Sequence, residues 1–169
     1  MAKSKGEKIA DNISRKQNIL VKQWVESQKT MDILIDDFNV CHVDLKKITL
    51  RFIKFWTKWF TKSTIPIING EKLNEIREQF DANVKIHYEL VAENEKVGQS
   101  IVDFGTHIET TFSLMDLKNM KEDEMTKILT IFENKIMIIN ENYLSLILKY
   151  DGLRMQTDDI IGQLKDYKC

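Results

Sequence analysis

A chain of 169 residues with 30 % charged and 43 % hydrophobic residues, six glycines and the single proline Pro66 lacks the turn residues that a sheet protein needs. It has the length of one ordinary domain. A net charge of −1 argues against a general nucleic-acid binder. No run of about eighteen apolar residues offers a membrane-spanning helix. Met1 to Lys8 is polar and lysine-rich with no apolar h-region behind it, and the only cysteines, Cys41 and Cys169, lie far apart. These features point to a soluble protein of a reducing, cytoplasmic compartment.

In chain order, residues 1–6 read as a disordered N-terminus, and the rest as one helical domain. From about Glu7, apolar residues keep heptad spacing through Ala10, Ile13, Leu20, Trp24, Met31, Leu34, Phe38, Cys41, Leu45 and Ile48 to Trp59. The phase persists through Asn39–Val43, where a loop would be free to shift it. The spacing therefore predicts one helix over 7–62, with a kink near Asn39 as the alternative. Near its end Lys47, Arg51, Lys54, Lys58 and Lys62 share about an 80° arc, with Trp56, Trp59 and neighbouring phenylalanines on the rest of the surface. A basic stripe facing aromatics suits an anionic membrane interface. Aromatics that plug one end of a bundle explain the pattern more simply, and single-stranded nucleic acid fits poorly because the two residue types lie on opposite faces.

Pro66 and Asn69-Gly70 punctuate the chain. A second helix over 71–115 carries the weakest seam, in which Asn83, His87 and Asn94 occupy places that call for apolar residues. Buried, such residues set register and partner choice at a cost in stability. The competing readings are a face in solvent, or a phase one residue off, in which Val84 and Val91 would point inward. After a break near Asp116–Asn119, Asn119 and Glu122 resemble a capping box that opens a third helix over 120–168. Its seam is the most regular: Leu129, Phe132, Ile136, Ile139, Tyr143, Leu146, Tyr150, Leu153, Ile160 and Leu164, with Thr157 the one polar member. Met137, Ile138, Leu144, Ile147 and Leu148 leave the middle of this helix little polar surface, so cover from several sides is expected there. At about 1.5 Å per residue the helix would be roughly 70 Å long.

The expected fold is all-α: three long helices in an elongated antiparallel bundle or coiled coil. Charge is uneven along it. Residues 1–63 hold 13 basic against 7 acidic residues and residues 64–169 hold 12 against 19. A basic first helix lying along acidic neighbours accounts for this, a surface for an anionic partner being the sharper alternative.

Chemistry-bearing motifs are absent. His42, His87 and His107 have no glutamate three residues before them, and no paired-cysteine zinc spacing, phosphate loop or nucleophile elbow occurs. No catalytic residue, metal or cofactor is therefore expected. The sequence favours a coiled-coil structural or adaptor subunit, pairing its third-helix seam with other helical proteins in an intracellular complex. The rivals are a peripheral membrane protein using Lys47, Arg51, Lys54, Trp56, Lys58 and Trp59, and a stand-alone three-helix binding module.

Overall fold

A computed structural model describes residues 1–57 and 70–167, with side chains for 1–51 and 70–167. It holds three α-helices, α1 (Lys5–Thr57), α2 (Gly70–Ser113) and α3 (Glu122–Lys165), and no strand among the described residues. All three helices pack against one another as an all-α bundle. The chain forms two compact units, one from Met1–Gln28 with Val91–Leu148, the other from Lys29–Leu90 with Lys149–Cys169. Each unit takes one segment from every helix.

The heptad seams become the core. In α1, Ala10, Ile13, Leu20, Met31, Leu34, Phe38, Cys41, Leu45 and Ile48 are buried, and the helix runs unbroken through Asn39–Val43. In α2 the phase read from the sequence also holds. Asn83, His87 and Asn94 are buried with Leu73, Ile76, Phe80, Leu90, Val97, Ile101, Phe104 and Ile108, whereas Val84 and Val91 are not.

The termini of the helices depart from the expectation. α1 begins at Lys5, inside the stretch read as disordered, because Ser4 caps it. The Ser4 Oγ accepts from the Glu7 amide at 3.2 Å, and the Glu7 carboxylate accepts from the Ser4 amide at 2.8 Å. This is a reciprocal capping box. The Ser4 hydroxyl also donates to the Leu117 carbonyl at 2.8 Å, and Gly6 lies so close to Leu117 that an added Cβ would clash with its carbonyl oxygen. At the start of α3, Asn119 is not the cap. Its side-chain amide donates to Asp116 at 2.8 Å, and Glu124 instead accepts from the Lys121 amide at 3.1 Å. Amides of Lys118 and Asn119 also donate to Asp116, and the Asn119 side-chain bond leads in holding the Asp116 carboxyl below its ordinary pKa.

In the first unit α1 and α2 approach closely at two glycines. The Trp24 indole lies over Gly98 and donates to the Asn94 carbonyl at 3.3 Å, and one heptad away Gln17 faces Gly105. Phe132 of α3 is buried against Phe104, His107 and Phe112 of α2, with ring centroids 5.7, 5.1 and 5.5 Å away. The Lys135 ammonium contacts Nδ1 of the same His107. Tyr143 donates to the Gln23 carbonyl at 3.0 Å. Burial, with Glu26 adding to it, pushes that phenol above its ordinary pKa.

In the second unit Phe38 packs edge-on to Phe80 at 6.0 Å and against the His87 ring at 5.2 Å. The Asn83 amide donates to the Thr157 hydroxyl at 3.5 Å, and that hydroxyl donates to the Leu153 carbonyl at 2.9 Å. The polar interruptions of two different seams thus form one buried layer.

Candidate protein-interaction surface

A helix in a three-helix bundle can bury only one face. For α3 in the first unit that face is Ile128, Phe132, Ile139 and Leu146, with Leu129, Ile136 and Tyr143 half-buried beside it. In the second unit Tyr150, Leu153, Thr157, Ile160 and Leu164 do the same. The ten residues read as a partner-binding seam are therefore turned toward the chain's own core. Seven of them are buried there, and the early seam runs through Ile128 in place of Leu129. Asn83, His87 and Asn94 likewise lie in the chain's own core.

What α3 leaves outside is its apolar surplus. Met137, Ile138, Leu144 and Leu148 keep 53, 54, 51 and 72 % of their surface, and Ile131 about two turns before Ile138 is half exposed. The apolar excess of this stretch predicts cover from several sides, and two neighbouring helices do not reach it. At 100° per residue Met137, Leu144 and Leu148 fall within about a 40° arc, and Ile131 and Ile138 lie about 100° to 120° round the helix. Between the two groups run Asn134, Glu141 and Ser145, all exposed. The result is two apolar strips divided by a row of three polar side chains, one of them the Glu141 carboxylate. Monomeric proteins seldom leave clustered large side chains this open unless something docks there.

The basic stripe on α1 is described only in part. Lys47 and Arg51 are exposed, and Arg51 donates to the Tyr167 carbonyl at 3.4 Å. Lys54 and Trp56 belong to the helix but their side chains lie outside the described set, and Lys58, Lys62 and Trp59 lie outside the described residues altogether. Among the described residues no helix is long and apolar enough to cross a membrane, and no group of three or more His, Cys, Asp or Glu side chains could hold a metal ion.

The signal for the α3 face was in the sequence. Met137, Ile138, Leu144 and Leu148 exceed what an a/d stripe needs, and treating that excess as core concealed it as surface. Comparison with protein-family models, with curated proteins and with solved structures finds no match to this chain.

Proposed function

We propose that the protein is a non-enzymatic, intracellular assembly subunit whose α3 outer face docks an amphipathic helix from another chain. The observation that carries this reading is the open set Met137, Ile138, Leu144 and Leu148 on a helix that has already supplied its share of the core. Covering side chains left half exposed is worth on the order of 1 kcal/mol each. Several such contacts on one helix make a plausible anchor once the cost of association is subtracted.

Glu141 lies inside the face. A docked helix would meet it with an apolar stripe flanked by lysine or arginine, since an unpaired carboxylate under a dry interface is unfavourable. Without its partner the isolated chain satisfies the same face by weak association with other copies.

The test replaces Met137 and Leu144 together by glutamate. The expected outcome is loss of association with helical content and melting temperature retained, because these side chains contribute little to the core. A variant that unfolds would mean that the face is interior, and one that associates like the parent would remove the reading.

A further inference from the structure

The second unit contains a cleft of about 290 Å³ walled by α1 and α2. Its apolar lining comes from Leu45 and Phe80, both buried, and from Leu50, which is half exposed. The His42 ring stacks on Phe80, with centroids 6.4 Å apart and planes inclined by 30°. Lys46 enters the wall from α1, and Arg77 and Asp81 from α2. Among the described residues neither Lys46 nor Arg77 is engaged in an ion pair. Lys46 and Arg77 set two positive charges in the lining against the one negative charge of Asp81.

Two exposed cations from different helices in the lining of a partly apolar cleft complement a ligand with a charged head and an apolar body. Size narrows the class further. The cleft lies at the small end of ligand pockets, which run from about 300 to 1,000 Å³, and so suits a molecule of one ring and its acidic group. We propose that this cleft binds a small amphiphilic anion, a phosphate monoester or carboxylate bearing a single apolar ring. The head lies between Lys46 and Arg77, and the ring lies on Phe80 and Leu45. Asp81 opposes the head and limits affinity.

The experiment is an NMR titration of the full chain at low ionic strength with three probes: phenyl phosphate, benzoate and inorganic phosphate. Saturable shifts centred on His42 and Phe80 are expected with at least one aryl anion, about tenfold tighter than with inorganic phosphate. The better aryl probe tells phosphate heads from carboxylate heads. Lys46→Gln and Arg77→Gln should each weaken binding about fivefold, and Asp81→Asn should tighten it about twofold. Lys47→Gln, outside the cleft, should leave it unchanged. Because one exchange strengthens binding while two weaken it, general damage to the fold cannot imitate the pattern. No saturable shift at roughly 10 mM of either aryl anion, an effect below about −2.7 kcal/mol of binding, would overturn the proposal. Equal binding of inorganic phosphate, or weaker binding by Asp81→Asn, would do the same.

Discussion

Asn83 is buried with its amide directed at one hydroxyl, and that dependence makes the pair testable. Thr157→Val removes the acceptor and leaves a buried donor without a partner, which costs about 1 to 3 kcal/mol. Adding Asn83→Leu removes the orphaned group, so the double variant should recover most of the loss in urea denaturation. A double variant less stable than Thr157→Val alone would show that the pair matters for another reason. His87 carries a second residue-scale expectation. Its ring lies between Phe38 and Tyr88, its Nδ1 has no hydrogen-bond partner among the described residues, and burial lowers its pKa from the ordinary 6.5. The folded ring therefore stays neutral at pH values where the unfolded chain already takes up a proton. Stability should fall as pH drops below about 6.5, and level off once the folded ring is itself protonated. His87→Phe should reduce the stability difference between pH 7.5 and 5.5 relative to the parent. An unchanged difference would assign the acid sensitivity to other groups.

Glycines in these helices divide by what faces them. A Cβ at Gly98 would sit 2.6 Å from the Trp24 ring, whereas nothing lies within 4 Å at Gly152 and Gly162. Gly98→Ala should therefore destabilise the protein by about 1 to 3 kcal/mol through overpacking. Gly152→Ala and Gly162→Ala should each stabilise it by up to about 1 kcal/mol, because only the helix propensity changes. Thermal melts of the three variants check the opposite signs. Sequence alone exposes the propensity cost at 152 and 162 but cannot reveal that Gly98 makes room for an indole from a residue 74 positions earlier. The same limit governs the helix ends. The phase of α2, and that of α1 as far as Ile48, was legible, because heptad spacing records burial at every turn. The Ser4–Glu7 capping box was also there to be read, yet a lysine-rich opening masked it as disorder. Asn119 misled for the opposite reason: a residue with good capping chemistry is held by Asp116, a nearer competitor.

At the level of the molecule, a helical bundle was legible from composition and seams, and its division into two three-helix units was not. Periodicity says that a side chain is covered without saying by which chain. The ten α3 seam residues illustrate this, since partner helices and the chain's own helices would require the same pattern. Only coordinates separate the α3 face that α1 and α2 occupy from the one they leave open. Association through this open face is read from the molar mass of the purified chain by light scattering across a concentration series, beside the Met137→Glu/Leu144→Glu variant. The mass should rise with concentration for the parent and stay at that of one chain, 19.9 kDa, for the variant. A parent that holds the single-chain mass at every concentration, melts sharply and matches its variant would contradict it.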